Sequence, residues 1–172
     1  VRRDAGKLDR LVEKVRTNPL HGTIGIGHTR WATHGVPNEL NAHPHQSSNG
    51  SVVVVHNGIV ENFRALKSEL MELGVSFNSD TDTEVIVQLV DLYFEQSKSL
   101  EEAVTKTLLR LKGAHGIVVM SALEPDKIIA ARIGNAGGVV IGLGENENYV
   151  ASDIPAILEH TRKMIFLESG QK

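Results

Sequence analysis

The sequence predicts an α+β fold in which helices and strands form separate layers. The middle of the chain carries three successive segments with apolar residues at helical spacing, and the last third carries four short apolar runs separated by turn residues. Regular strand–helix–strand alternation is absent, which argues against a doubly wound parallel sheet. With 172 residues, of which 41% are hydrophobic, the chain is long enough for one domain spanning residues 1–172.

The first third of the chain predicts one helix and two strands. Apolar residues at helical spacing in 7–16 indicate an amphipathic helix. In 23–28 two isoleucines alternate with glycines, and 52–55 is a continuous run of β-branched valines. Both segments predict strands, and the second is predicted to end before Asn57-Gly58, a dipeptide typical of turns.

Three helices are predicted in the middle of the chain. The first covers 63–74 and closes at its final glycine. Thr81 with Glu84, and Ser99 with Glu102, have the spacing of a capping box and predict where the next two helices begin. The last third is predicted to be mostly sheet, with strands at 117–120, 128–131, 139–141 and 164–167.

Composition excludes several classes of function. The formal charge is −3 and the pI is about 6.2, without the basic stripe that nucleic acid or an anionic membrane would attract. No run of eighteen apolar residues predicts a membrane span, and the charged start does not resemble a signal peptide, so we expect a cytoplasmic protein. The chain has no cysteine, which excludes disulfides and thiolate metal sites.

Five of the eight histidines lie close together in the sequence, which raises the question of a metal site. They form no HExxH motif, and no cysteine or paired carboxylate completes a tetrahedral set, so we expect no metal. The alternative is that His28 and His56 end neighbouring strands and bond to nearby backbone, while His43 and His45, on either side of Pro44, order a loop. These residues are His28, His34, His43, His45 and His56.

Two glycine-rich stretches, 22–27 and 137–146, invite comparison with phosphate-binding loops. Neither matches GxxxxGK[ST], and glycines within a strand more often mark a bend or a close backbone approach. We therefore expect no nucleotide and no other cofactor.

Polar side chains recur where predicted strands and helices meet loops, and together they suit a free amino acid. Arg30 can hold an α-carboxylate with help from the Thr33 hydroxyl, and Asp82 can hold an α-ammonium. Asn57 with the N–H of Gly58 can hold the oxyanion that forms when an amide is attacked. Taken singly, each has a simpler explanation. Arg30 can belong to a surface ion pair, Asp82 can be a first-turn helix carboxylate, and Asn57-Gly58 can be only a turn.

Four motifs carry a resemblance to a known family. They are GHTRWATHG at 27–35, NAHPH at 41–45, VVVVHNGIVEN at 52–62 and SDTDTEV at 79–85. In this order they resemble the glutaminase domain of the glutamine:fructose-6-phosphate amidotransferases, and the resemblance extends over essentially the entire chain. The related phosphoribosyl-pyrophosphate amidotransferases share the Arg, Asn-Gly and Asp elements, but their arginine loop is not usually TRWATHG.

The resemblance implies an N-terminal-nucleophile hydrolase fold, with two antiparallel sheets between helical layers in the order αββα. It also implies roles for matched residues. Asn57 and Gly58 would form the oxyanion hole, and Asp82 would bind the ammonium group of glutamine.

The arginine motif is implied to act as a clamp and a lid. Arg30 would grip the glutamine carboxylate with Thr33 and His34 beside it, and the loop 30–38 would close over the substrate. Trp31 would gate the transfer of ammonia toward a second domain.

One feature of the sequence departs from the family. These enzymes use an N-terminal cysteine as nucleophile, whereas this chain begins with Val1. We therefore expect a domain truncated at its N-terminus, lacking one strand and inactive in this form, with glutamine or glutamate as ligand. The sugar-phosphate isomerase domain of the parent chain would be absent, and a homo-oligomer is left open. The alternatives are a non-catalytic amino-acid-binding or structural module, and the glutaminase domain of a phosphoribosyl-pyrophosphate amidotransferase.

Overall fold

Two antiparallel sheets and four α-helices make up the part of the protein described by the computed structural model, residues 1–31 and 35–172. The helices are α1 Leu8–Thr17, α2 Phe63–Glu72, α3 Thr83–Ser97 and α4 Leu100–Leu108, and a 3₁₀ helix covers Ile154–Ala156. The strands are β1 His45–Gln46, β2 Val52–Gly58, β3 His115–Ser121, β4 Glu124–Ile133, β5 Val140–Leu143, β6 Asn148–Ala151 and β7 Met164–Phe166. The α+β prediction is confirmed.

The larger sheet has the strand order β1-β2-β3-β4, and the smaller has the order β6-β5-β7. All pairs are antiparallel, and β2 pairs along its whole length with β3, from Val52 opposite Ser121 to Gly58 opposite His115. This register places the end of β2 beside the start of β3. Polar side chains from the two strands therefore meet at this edge of the sheet.

The main core lies between the larger sheet and the helices α2, α3 and α4. Alternate residues of β2 and β3 face it, and α3 contributes residues from nearly its whole circumference. Burying one such aliphatic side chain stabilises the fold by about 1.5–3 kcal/mol. The fully or almost fully buried members include Val52, Val54, Ile86, Leu89, Leu100, Ile117 and Val119.

The other face of the larger sheet packs on the smaller sheet. Val118 and Ala130 contact Val139, Ile141 and Val150 in a second, smaller apolar cluster. The described residues thus show helix, sheet and sheet in the order that the four-layer arrangement implies. Within the described ranges no helix is long and apolar enough to cross a membrane.

Two predictions about strands were wrong, and two short strands were missed. Residues 23–28 form no strand and are largely exposed, since none of the described strands lies alongside to accept their backbone hydrogen bonds. The short strands β1 and β6 were not predicted, because neither carries a clear alternating pattern. Asn57 and Gly58 do not form a turn after β2 but are its last two residues.

The predicted helix starts were right for α4 and wrong for α3. Ser99 caps α4, with its Oγ accepting the N–H of Glu102 at 3.4 Å. Thr81 does not cap α3, because its hydroxyl contacts the ring of His45 at 2.9 Å instead. Glu84 accepts the N–H groups of residues 78 and 79 at 2.8 and 2.7 Å, which fixes the loop before the helix.

Candidate functional site

An open cleft of about 970 Å³ lies where β2 ends, between the loop after α1, the start of α3 and the smaller sheet. Its volume is at the upper end of the range for small-molecule sites. Five of the seven residues predicted from the sequence line this cleft: Arg30, Trp31, Asn57, Gly58 and Asp82. The other two, Thr33 and His34, lie outside the described residues.

Asn57 is held by a histidine from the preceding loop. The Nε2–H group of His28 donates to Asn57 Oδ1 at 2.8 Å, because an amide oxygen can only accept. No described residue accepts from the Asn57 side-chain nitrogen, so both of its N–H groups are available to a ligand in the cleft. The sequence-based expectation that His28 bonds to backbone was therefore wrong.

Gly58 adopts a backbone conformation that excludes other residues. Its φ angle is +133°, outside the regions that L side chains occupy. A Cβ at this position would overlap the carbonyl oxygen of Ala114 and approach His56 Nε2 to 3.0 Å. The glycine therefore lets the end of β2 lie directly against the start of β3.

Asp82 places a buried carboxylate at the N-terminus of α3. Its side chain is only 4% exposed, and one oxygen, Oδ2, accepts the N–H of Val60 at 2.7 Å. The positive end of the helix dipole favours the ionised carboxylate here. Within the described ranges the other oxygen has no hydrogen-bond donor, so it can accept from an ammonium group.

Arg30 and Trp31 lie side by side at the cleft but differ in exposure. The Arg30 guanidinium is partly buried and reaches the Gly35 carbonyl at 3.4–3.5 Å, long distances for a hydrogen bond. Trp31 is 91% exposed. An exposed aromatic beside a cleft is available to contact a ligand or another domain.

A network of buried histidines borders the cleft, and His43, His56 and Thr83 belong to its lining. The Thr83 hydroxyl contacts His43 Nε2 at 3.2 Å and His56 Nδ1 at 3.0 Å, and His56 Nε2 contacts His115 Nδ1 at 3.0 Å. His56 thus bonds to side chains, where the sequence suggested backbone. Burial lowers the pKa of His43 to about 2 and the pKa values of His45 and His56 to about 3 each, and the positive charges of nearby residues lower them further.

Sequence reasoning missed Thr83 and His115 as partners of this network. His115 is 59 residues from His56, and only the β2–β3 register brings the two rings together. Thr83 belongs to the SDTDTEV motif, yet no pattern identified its hydroxyl as a contact for two rings. Among the described residues, no group of three or more His, Cys, Asp or Glu side chains could hold a metal ion.

Comparison with known families decides how the chain is classified. Residues 16–169 match the family described as a glutamine amidotransferase domain. The chain belongs to this glutamine amidotransferase domain family. The fold implied by its motifs therefore agrees with the family assignment.

The relatives of this amidotransferase domain include enzymes named glutamine–fructose-6-phosphate aminotransferase [isomerizing]. The one from Thermococcus kodakarensis is 50% identical over 171 residues, which is 99% of this chain and 28% of the relative. The one from Escherichia coli K12 is 51% identical over 168 residues, 98% of this chain and 27% of the relative. The chain thus spans little more than a quarter of the relatives it matches.

Solved structures of related enzymes share the fold of this amidotransferase domain. The glutamine phosphoribosylpyrophosphate amidotransferase from B. subtilis, complexed with ADP and GMP, matches 83% of this chain and 30% of its own, with a TM-score of 0.65 and 28% identity. A structure described as the allosteric regulatory enzyme of purine biosynthesis matches 77% of this chain and 29% of its own, with a TM-score of 0.62 and 27% identity. These identities are well below the 50% to the fructose-6-phosphate enzyme from T. kodakarensis.

Proposed function

We propose that this domain binds glutamine and hydrolyses its side-chain amide within an enzyme that makes glucosamine 6-phosphate from fructose 6-phosphate and glutamine. The observation that carries the proposal is the shared cleft, where a guanidinium, a buried carboxylate and an Asn-Gly pair meet. Identity of about 50% to the aminotransferases supports the choice of sugar phosphate. The enzyme acts in the cytoplasm, where such metabolites are made.

The two charged groups bind the two ends of the amino acid. The Arg30 guanidinium forms a bidentate pair with the α-carboxylate, a strong and directional contact. The resemblance to the family assigns Thr33 and His34, which lie outside the described residues, as helpers of Arg30. The free oxygen of Asp82 accepts from the α-ammonium. This leaves the side-chain amide directed along the cleft toward the end of β2.

The Asn-Gly pair stabilises the charge that develops during hydrolysis. Attack on the amide carbon forms a bond to the nucleophile and puts a negative charge on the amide oxygen. The Asn57 side-chain N–H and the Gly58 backbone N–H donate to that oxygen, and such a donor is worth about 3–4 kcal/mol in the transition state. The C–N bond then breaks, ammonia leaves, and water releases glutamate from the acyl intermediate.

The transfer of ammonia needs the rest of the parent enzyme. Residues 1–172 act as the glutaminase part, and an isomerase domain of the same parent chain receives the ammonia. The parent protein can be a homo-oligomer. Trp31, exposed beside the cleft, gates this transfer. The family's nucleophile is an N-terminal cysteine, a residue type that this sequence does not contain.

A second candidate is a module that binds an amino acid without hydrolysing it, because the guanidinium and the buried carboxylate of the cleft suffice for binding. Both candidates predict glutamate binding, so binding alone does not separate them. The chain should therefore be produced with a Met-Cys-Gly-Ile leader and assayed for glutamine hydrolysis after removal of the methionine. Release of ammonia supports the glutaminase, and a folded leader-bearing protein that binds glutamate but stays silent supports the binding module.

Replacing Arg30 by Ala is expected to weaken glutamate binding by roughly 100-fold, because a bidentate charge-assisted pair worth about 3 kcal/mol is lost. Titration calorimetry of the purified chain measures the change. Arg16→Ala removes the same charge from an exposed position on α1 and serves as the control. Equal glutamate affinity in the two variants would remove Arg30 from the site.

A further inference from the structure

The Thr83 hydroxyl contacts the buried rings of His43 and His56, and His56 contacts His115. The positions of the protons in these three rings can be worked out one after another, starting at His115. His115 Nε2 lies 3.2 Å from the Lys112 carbonyl oxygen, which only accepts, so this nitrogen carries the proton. Burial keeps the pKa of His115 below its ordinary value, so the ring is neutral and its Nδ1 is an acceptor.

The remaining protons follow in order. His56 Nε2 must donate to His115 Nδ1, which leaves His56 Nδ1 to accept from the Thr83 hydroxyl. Because that hydroxyl has one proton, its oxygen must accept from His43 Nε2–H. Every hydrogen bond therefore runs in one direction, from His43 to the Lys112 carbonyl.

This chain of hydrogen bonds joins the structural elements that carry the two ends of the candidate site. Thr83 is the first residue of α3 and follows Asp82, whereas His56 precedes Asn57 in β2. The Lys112 carbonyl also accepts the N–H of Glu61 at 3.0 Å, in the loop that follows β2.

The other end of the hydrogen-bond chain approaches the residue that holds Asn57. The rings of His43 and His28 lie 4.3 Å apart between centroids, and His28 Nε2–H is the donor to Asn57 Oδ1. The hydrogen-bonded residues therefore contact or adjoin both Asp82 and Asn57.

We propose that Thr83 is a positioning residue, whose hydroxyl fixes the Asp82 carboxylate relative to the Asn57 amide through this one-way chain of hydrogen bonds. The inference rests on the proposed function for its consequence, since the two positioned groups are those that would bind the ammonium and the oxyanion. The order of the protons stands on the contacts and on the neutral state of the buried His115 ring, and it is independent of that function.

The order of the protons is tested in the unmodified protein by long-range ¹H–¹⁵N spectra of the imidazole rings. His43, His56 and His115 are each expected to show one tautomer, with the proton on Nε2, at neutral pH. A proton on Nδ1 in any of the three rings would overturn the chain of hydrogen bonds. This measurement needs neither ligand nor mutation.

The positioning role is tested with Thr83→Val and Thr83→Ser. Valine has the same shape without the hydroxyl, so His43 Nε2–H loses its acceptor and that ring is expected to show both tautomers. Glutamate affinity, measured by calorimetry, is expected to fall at least tenfold in Thr83→Val and to be recovered to within about threefold in Thr83→Ser.

The outcomes separate the inference from the proposed function. Equal glutamate affinities in folded Thr83→Val and Thr83→Ser would overturn the positioning role while leaving glutamate binding intact. If the unmodified protein binds no glutamate, the proposed function and the positioning role both fail, and the spectra still decide the order of the protons. If Thr83→Val does not fold, the affinity of Thr83→Ala takes its place in the comparison.

Discussion

Lowering the pH from 7 to 5 is expected to reduce the free energy of unfolding by about 6 kcal/mol, which is enough to unfold many domains of this size. Three buried histidines cause most of the loss. Burial, and then neighbouring positive charge, lowers the pKa of His43 to about 2 and the pKa values of His45 and His56 to about 3 each. In the unfolded chain each titrates near 6.5.

The sign follows from proton binding in the two states. Below pH 6.5 these three histidines bind protons in the unfolded chain but stay neutral in the folded chain, so acid favours unfolding. Each histidine contributes about 2 kcal/mol at pH 5, and stability is fully present above pH 6.5 and falls until about pH 3. The loss therefore begins in mildly acidic solution.

Urea unfolding at pH 7, 6 and 5 measures this dependence. His45→Gln removes one of these three groups and is expected to reduce the slope of stability against pH by at most about one third. His21→Gln alters an exposed histidine and should leave that slope unchanged. Equal unfolding free energies at pH 7 and pH 5 in the unmodified protein would contradict the prediction.

Replacing Gly58 by Ala is expected to destabilise the protein by about 3 kcal/mol or more. Two causes combine, a φ angle of +133° that alanine rarely adopts and overlap of its Cβ with the Ala114 carbonyl oxygen. Gly58 ends β2 and Ala114 immediately precedes β3, and the clashing oxygen belongs to the backbone, so the overlap cannot be relieved by a side-chain rotation. The end of β2 must move, and Asn57 moves with it.

Gly27→Ala is the matched control for this substitution. Gly27 lies beside His28 near the same strands and has no positive φ, and a Cβ added there would meet no atom within 4 Å. The variant is expected to retain the stability of the unmodified protein or gain up to about 1 kcal/mol. If the urea midpoints of the two variants coincide, the conformation described for Gly58 is wrong.

Much of the fold could be predicted because the governing patterns are local. Helical spacing placed α1 to α4, and runs of β-branched residues placed β2 and β3. The segment 23–28 failed because pairing depends on a neighbouring strand, which no local pattern supplies. The cap predicted at Thr81 failed because a distant ring, His45, engages its hydroxyl.

The candidate site also has a part that could be predicted from local sequence and a part that could not. Asn57 and Asp82 could be named because each stands where a regular element meets a loop, and the structure brings them to one cleft with Arg30. Arg30 was named from its chemistry, although the strand predicted before it is absent. The contacts of His28 and Thr83 could not be named, because they join side chains from separate parts of the chain. Whether a histidine bonds to a backbone carbonyl or to another ring depends on the register of the strands.

Trp31 is the only tryptophan in the sequence, and its side chain is already exposed to solvent in the folded protein. Its fluorescence emission will therefore change little when the core comes apart. The same emission will respond to anything that covers the mouth of the cleft. Circular dichroism is thus the optical signal for unfolding, and tryptophan fluorescence is the signal for occupancy.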